Sequence, residues 1–222
     1  MFKSKYGNLL TGLLIVIIIG VVAIIGYFGY KILTEDSKEK AAEEAIEEFD
    51  SKYVKNKNKK NNDQNSIDGL DNSDINNGDS SGSDKVYMEG YEVIAKIRIP
   101  AISIQYPILD EVTKKALDTS ICKLYSTGGI NQVGNTVFIG HNYRNSLFFS
   151  KNDQLENGDM VYITDTNGDE VAYEIYYIFE TTSTDTSFYQ RDTQGKREIT
   201  LSTCTDDAST TDQRLVIFAR EV

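Results

Sequence analysis

The pattern of apolar and polar residues divides the chain into regions of different character, and the first is entirely apolar or uncharged. No charged residue occurs from Tyr6 to Tyr30. A helix rises about 1.5 Å per residue, so this run would measure roughly 37 Å, enough to cross a hydrocarbon core of about 30 Å. The pattern therefore predicts a transmembrane helix over residues 6–30.

A cleaved signal peptide is the alternative interpretation of this run. Its apolar region normally covers about 7–15 residues and ends at a small-x-small site. The run here is longer and ends in bulky residues such as Tyr27 and Phe28, which favours an uncleaved anchor in the lipid bilayer. Because Lys3 and Lys5 precede it, the positive-inside rule predicts a cytoplasmic N-terminus (residues 1–5) and an extracellular location for everything after the helix.

Residues 31–60 are predicted to form a juxtamembrane helical stalk. Four apolar residues recur at about helical spacing in this segment: Ala42, Ile46, Phe49 and Tyr53. Two interpretations of this stripe remain open. Either the helix is solvated on all sides, or the stripe packs against the domain that follows or against a partner.

Residues 61–85 form a region of a third kind, composed almost entirely of Asn, Asp, Ser and Gly. A segment with so few apolar residues cannot bury enough surface to offset the entropy lost on ordering it. The composition therefore predicts a disordered polar linker that tethers the domain after it.

Residues 86–222 consist of short apolar runs separated by Gly, Asn and Asp, a pattern typical of a β domain. The hairpin signal Thr166-Asn167-Gly168-Asp169 connects two of the runs, and short helices are predicted near 113–117 and 145–150. The pattern indicates a closed or nearly closed β-barrel with small helical additions. The predicted strands are Val93–Ile99, Ile102–Pro107, Thr136–Gly140, Met160–Thr164, Glu170–Phe179, Glu198–Thr203 and Leu215–Glu221.

Composition excludes several classes of function. The chain carries 34 acidic and 23 basic residues, for a net charge of −11, so it lacks the basic excess that displaces counterions from nucleic acids. A single histidine excludes metal sites built from three histidines. Two cysteines allow at most one disulfide, which is too few for a disulfide-rich scaffold.

Three candidate residues stand at the ends of predicted strands. His141, the single histidine, follows the strand that ends at Gly140. Cys204 follows another strand, and alternation places its side chain on the polar face of that strand with Thr200 and Ser202. Arg214 opens the last strand after a polar loop, so its guanidinium is expected beside the sulfur. Taken singly, each residue has a common structural explanation: a structural histidine, a packed thiol or a surface arginine.

The second cysteine, Cys122, stands beside Ile121 and Leu124 and is interpreted as ordinary core packing, since free cysteines behave as small apolar side chains. A disulfide between Cys122 and Cys204 is the alternative for an extracellular domain.

Residues 91–222 resemble the sortases, which are membrane-anchored cysteine transpeptidases of Gram-positive bacteria. The similar segments are Ile97-Arg98-Ile99-Pro100, Tyr106-Pro107-Ile108, Gly134–His141, Leu155, Gly158-Asp159-Met160-Val161-Tyr162-Ile163, Thr200-Leu201-Ser202-Thr203-Cys204 and Arg214. The resemblance implies a mainly β fold, an eight-stranded sortase-type β-barrel with short helices, preceded here by the transmembrane helix.

The resemblance also implies a mechanism in which Cys204 is the nucleophile, His141 the general acid and base, and Arg214 the stabiliser of the oxyanion or substrate. Sortases cleave an LPXTG-like sorting signal between Thr and Gly. They transfer the resulting acyl group to an amine of a cell-wall precursor or a pilin. The implied partners are therefore surface proteins with C-terminal sorting signals and such amine acceptors, and no metal or organic cofactor is required.

Several alternatives stay open at this stage. The short segment before the cysteine strand argues against the long helical insertion of class B and favours a class D-like enzyme, with class A or E as alternatives. Phe188 and Tyr189 in that segment are candidates for lining a substrate groove. The run from Asp165 to Asp169 is somewhat similar to a calcium loop, but a hairpin turn is favoured. A hydrolytic cysteine peptidase and a non-catalytic surface adhesin are the competing functions.

Overall fold

The computed structural model describes residues 5–57, 85–205 and 212–222. The predicted linker lies outside the described residues except for Lys85. The chain divides into two compact units, Met1–Lys40 and Ala41–Val222.

The first unit consists of most of a long helix, α1, which spans Lys5–Phe49. Large apolar side chains from Leu10 to Leu33 leave at least 50 % of their surface exposed. A continuous apolar surface of this kind is unfavourable in water and suits contact with lipid. The helix is long and apolar enough to cross a membrane, in agreement with the predicted apolar N-terminal helix.

The second unit contains nine strands in one sheet and a short helix, α2, at Lys114–Thr119. The strands are β1 Val86–Met88, β2 Tyr91–Ile99, β3 Ile104–Leu109, β4 Ile121–Ser126, β5 Gly134–Ile139, β6 Met160–Asp165, β7 Glu170–Thr182, β8 Arg197–Cys204 and β9 Gln213–Glu221.

Eight of these strands close into a barrel. The strand order is β1-β2-β3-β4-β5-β8-β9-β7-β6, and an additional pairing of β2 with β6 joins the two ends. In that pairing Ala95 lies opposite Asp165 and Ile97 opposite Ile163. Strand β1 adds to the first half of β2. The predicted eight-stranded barrel is therefore confirmed, with β1 as an extra edge strand.

The two faces of the sheet carry separate apolar clusters. Fully buried side chains such as Ile97, Leu201 and Ile217 fill the barrel interior. A smaller cluster contains Val137 and Val216, which alternate along their strands with interior residues and so lie on the outer face. The outer cluster matters for function because it lies beneath the segment that connects β7 to β8.

The last turns of α1 and the π-helical residues Asp50–Val54 pack on the barrel. Ala42, Ala45 and Phe49 are buried in the same apolar cluster as the barrel core. The ammonium group of Lys96 lies 2.6 Å from the Asp50 carboxylate. Within this unit, the apolar stripe of the stalk therefore contacts the domain that follows it.

Glycine is required where this segment meets the turn between β6 and β7. Gly168 has a φ of +73°, and a Cβ atom there would lie 2.5 Å from the carbonyl oxygen of Tyr53. The Asp165 carboxylate accepts hydrogen bonds from the backbone N–H groups of Asn167 and Asp169, at 2.9 and 3.1 Å. These bonds form the predicted hairpin turn between β6 and β7.

Three local predictions differ from the structure. Strands β1 and β4 were absent from the predicted strands. For β4, a register irregularity between Lys123 and Tyr125 explains why its alternation is hard to recognise. The predicted helix at 145–150 is wrong, because this segment forms bends and turns. The Asn145 side chain accepts the N–H of Leu147 at 2.8 Å, and such a local bond competes with helix formation.

The docked end of α1 leads to a prediction about stability. Phe49→Ala removes a fully buried ring and should lower the free energy of unfolding of the second unit by about 3–5 kcal/mol. Urea denaturation of the full chain in detergent micelles, followed by tyrosine fluorescence, measures this change. Glu48→Ala, at an exposed position of the same turn, is the control and should change it by less than about 0.5 kcal/mol. Equal stability of the two variants would contradict the docking.

Candidate active site

His141, Cys204 and Arg214 line one cavity of about 300 Å³ on the outer face of the barrel. The structure thus brings together all three residues that the sequence singled out. Their convergence is a consequence of strand pairing, which can be followed residue by residue.

Cys204 and Arg214 are direct partners in the antiparallel pairing of β8 with β9. Side chains of opposite residues in an antiparallel pair project from the same face of the sheet. Beyond this pair, the N–H of Thr205 donates to the carbonyl of Gln213 at 3.3 Å. The guanidinium and the sulfur are therefore held on one face at the end of the ladder.

His141 reaches the same place through the parallel pairing of β5 with β8, in which Ile139 lies opposite Ser202. The residues on both sides of His141 are bonded to β8. The Thr203 hydroxyl donates to the carbonyl of Gly140 at 2.8 Å, and the Asn142 amide donates to the carbonyl of Cys204 at 3.1 Å. These bonds fix the histidine backbone beside the cysteine.

Gly140 allows the loop that follows His141 to approach closely. A Cβ atom at this position would lie 3.0 Å from the Phe149 ring, which is fully buried. The N–H of Phe149 also donates to the carbonyl of His141 at 3.2 Å. The loop therefore packs tightly behind the histidine.

Two residues that sequence reasoning missed lie against His141. A carboxylate oxygen of Asp118 is 3.4 Å from Nε2 of His141, and the Tyr143 ring centroid is 4.8 Å from that of the imidazole. Tyr143 stands two residues from the histidine, which is a weak signal in the sequence. Nothing in the sequence pattern indicates the contact with Asp118.

The segment between β7 and β8 forms one wall of the cavity, with Phe188 and Tyr189 lining it. The fully buried Asn135 amide donates to the carbonyls of Phe188 and Tyr189 at 3.0 Å each. These bonds join the wall to β5. The sequence-based expectation for the two aromatic residues agrees with this placement.

Arg191 anchors the same wall to the barrel. Its guanidinium forms an ion pair with Glu198, whose side chain is fully buried, and donates to the Asn135 carbonyl oxygen at 3.0 Å. It also stacks 4.0 Å from the centroid of the Phe218 ring. Sequence analysis missed this network because Asn135 and Phe218 lie far from Arg191 along the chain, and the nearby Glu198 meets Arg191 only in the folded sheet.

The two thiols differ in environment. Cys204 is partly exposed in the cavity, and Cys122 is buried in the barrel core. Burial raises the pKa of the Cys122 thiol to about 12, so this thiol is unreactive near neutral pH. Both cysteines are free. The alternative of a disulfide between them is therefore wrong, because they occupy opposite faces of the sheet.

The arrangement supplies a thiol nucleophile, an imidazole that can move a proton and a guanidinium that can stabilise an anion. Apolar side chains from three different elements, Leu117, Leu124 and Ile139, line the cavity around these groups. In the parts of the chain that the structure describes, no group of three His, Cys, Asp or Glu residues could hold a metal ion.

Comparison with known proteins identifies the family. The Sortase domain profile matches residues 97–222. Sortase A of Bacillus anthracis is 31 % identical over 139 residues, which cover 61 % of this chain and 63 % of that protein. Sortase A from Corynebacterium diphtheriae superposes with a TM-score of 0.53 at 31 % identity, covering 60 % of this chain and 61 % of that one.

A third similar structure is a Clostridium perfringens Sortase D5 transpeptidase, with a TM-score of 0.56 and 26 % identity. The superposition covers 83 % of this chain and 98 % of that chain. The chain matches less than two thirds of the length of the Bacillus anthracis and Corynebacterium diphtheriae proteins. Since the domain profile matches more than half of the chain and the barrel is shared, the chain belongs to the sortase family.

Proposed function

We propose that the chain is a cysteine transpeptidase with Cys204 as nucleophile, His141 as general acid and base, and Arg214 as oxyanion stabiliser. The observation that supports this proposal is the convergence of the three side chains on one half-open cavity. The sulfur, the imidazole and the guanidinium come from three strand ends, so ordinary packing of one element does not account for their proximity.

In the first half-reaction the Cys204 thiolate attacks the carbonyl carbon of the scissile peptide bond. The electron pair of the carbonyl moves to its oxygen, and the Arg214 guanidinium donates hydrogen bonds to that oxyanion. The tetrahedral intermediate then collapses, the C–N bond breaks, and protonated His141 donates its proton to the departing amine. The product is a thioester between the substrate and Cys204.

In the second half-reaction an amine attacks the thioester. Neutral His141 accepts the proton that the attacking amine loses, so the enzyme regains its protonated imidazole. Collapse of the second intermediate breaks the C–S bond and regenerates the Cys204 thiolate. The overall reaction exchanges one amide for another, and water is not consumed.

The proposed substrate is an LPXTG-like sorting signal cleaved between Thr and Gly, and the proposed acceptor is an amine of a cell-wall precursor or a pilin. Apolar lining residues such as Leu124 and Phe188 suit the leucine and proline of such a signal. A class D-like enzyme is part of the proposal. The near-complete match to the Clostridium perfringens chain and the short connection between β7 and β8 support it.

The proposal also places the barrel outside the cell, with α1 crossing the membrane and residues 1–5 in the cytoplasm. Lys3 and Lys5 before the apolar run support this orientation. Protease added to intact cells should therefore digest the barrel. Digestion that occurs only after the cells are permeabilised would contradict this orientation.

Incubation of the full chain in micelles with a fluorescent sorting-signal peptide and triglycine tests the activity. We expect a ligated product whose formation depends on triglycine. Cys204→Ala should reduce turnover by about 1000-fold or more, because the nucleophile is lost. It should also abolish labelling by thiol-reactive peptides.

Cys122→Ala is the matched control, since this thiol is buried in the core, and it should retain labelling and turnover. Cleavage at the same rate with and without triglycine would indicate a hydrolytic peptidase instead. Labelling that persists in Cys204→Ala and disappears in Cys122→Ala would refute the assignment of the nucleophile.

The role of Arg214 gives a separate prediction. Arg214→Met removes the donors aimed at the oxyanion and should lower kcat by about 100- to 1000-fold, with a much smaller change in KM. Arg98→Met is the control, because Arg98 pairs with Glu170 elsewhere on the barrel surface, and it should leave both constants unchanged. Steady-state kinetics with the same peptide measure them. A rise in KM with an unchanged kcat would contradict this role, because it would show that Arg214 binds the ground state and the transition state equally well.

A further inference from the structure

Asp118 and Tyr143 form a hydrogen-bonded pair next to the imidazole of His141. Oδ1 of Asp118 accepts a hydrogen bond from the Tyr143 hydroxyl at 2.6 Å and lies 3.4 Å from Nε2 of His141. The Tyr143 ring is tilted by 34° from the imidazole plane, with the centroids 4.8 Å apart. One carboxylate thus contacts both rings.

Local hydrogen bonds hold the segments that carry Asp118 and Tyr143. Asp118 belongs to α2, which Thr113 caps by accepting the N–H of Ala116 at 3.1 Å. After the helix, the Ser120 hydroxyl donates to the carbonyl of Pro107 at 2.6 Å. The N–H of Tyr143 donates to the Ser150 hydroxyl oxygen at 2.9 Å. The carboxylate and the phenol are therefore held by two different elements, α2 and the loop that follows His141.

The hydrogen bond between the two side chains has a defined direction. Burial, followed by the hydrogen bond to Asp118, raises the pKa of the Tyr143 phenol. The phenol therefore stays protonated near neutral pH and donates to the carboxylate. A carboxylate oxygen has two lone pairs, so Oδ1 can accept from the phenol and from an imidazolium N–H at the same time.

We propose that Asp118 is a positioning residue that, held by Tyr143, orients the His141 ring and favours its protonated form. This inference rests on the proposed function, in which protonated His141 donates to the departing amine. A negative charge at this distance favours the imidazolium. Since the Asp118 side chain is 44 % exposed, solvent screens part of the effect.

Other charged and titratable groups line the cavity with His141. Arg214 from β9 disfavours protonation of the imidazole, whereas a Cys204 thiolate from β8 favours it. Asp185 and Tyr189 come from the segment between β7 and β8. Asp185 accepts hydrogen bonds from Thr181 and Ser187 at 2.6 and 2.8 Å. Asp118 is thus a carboxylate in direct contact with the imidazole, and removal of its charge should make the imidazole harder to protonate.

The single histidine of the chain makes the test site-specific. An NMR titration of the full chain in micelles, with ¹⁵N in the histidine ring, reports on His141 alone. Asp118→Asn should lower the midpoint of this titration by about 0.5–1 pH unit. The alkaline limb of the pH profile of kcat/KM should move in the same direction by a similar amount.

Two further variants separate charge from shape. Asp118→Glu retains the charge, so its titration midpoint should lie closer to the wild-type value than that of Asp118→Asn. Asp110→Asn is the matched control, because Asp110 pairs with Lys123 outside the cavity, and its midpoint should equal that of the wild type.

An unchanged midpoint in folded Asp118→Asn would overturn the proposal, as would equal shifts in Asp118→Asn and Asp118→Glu. A shifted midpoint with an unchanged pH profile would also overturn it, because the charge would then not act in turnover. The titration needs no substrate. Absence of amine-dependent product with the wild type would therefore refute the proposed function separately from the effect of Asp118 on His141.

Discussion

The parallel pairing of β5 with β8 is the constraint on which the candidate site depends. Parallel strands end at the same edge of a sheet, so His141 and Cys204 lie side by side although they are 63 positions apart along the chain. A slip of one residue would turn Cys204 into the barrel interior. The bonds that Thr203 and Asn142 make across this pair oppose such a slip. The pairing of β9 with β8 then places Arg214 opposite Cys204, the last residue of β8.

The barrel and the location of the three candidate residues at strand ends were predictable because both depend on local patterns. Alternation along β8 correctly separates interior Leu201 from the outer face that carries Cys204. The same reasoning failed at β4, where an irregularity interrupts the alternation. It also failed after His141, where asparagine side chains bond to the backbone and replace a helix with turns. Helix propensity does not account for such specific bonds between a side chain and the backbone.

The surroundings of the candidate site were beyond sequence reasoning for a different reason. Asp118 meets His141 only because α2 packs beside the end of β5, and its place along the chain gives no hint of that contact. Arg191 and Glu198 are close in sequence, but their pairing requires β8 to be in the sheet with the β7–β8 segment folded over it. Such contacts are products of tertiary structure and leave no periodic pattern.

The buried ion pair between Arg191 and Glu198 contributes more to the position of the cavity wall than to the stability of the barrel. Burying two charges carries a desolvation penalty that their attraction largely cancels, so such a pair adds little net stability compared with apolar packing. Its geometry is nevertheless specific, because the guanidinium must meet the Glu198 carboxylate and the Asn135 amide together. The apolar interior therefore stabilises the fold, and the polar network on the outer face fixes the wall that carries Phe188 and Tyr189.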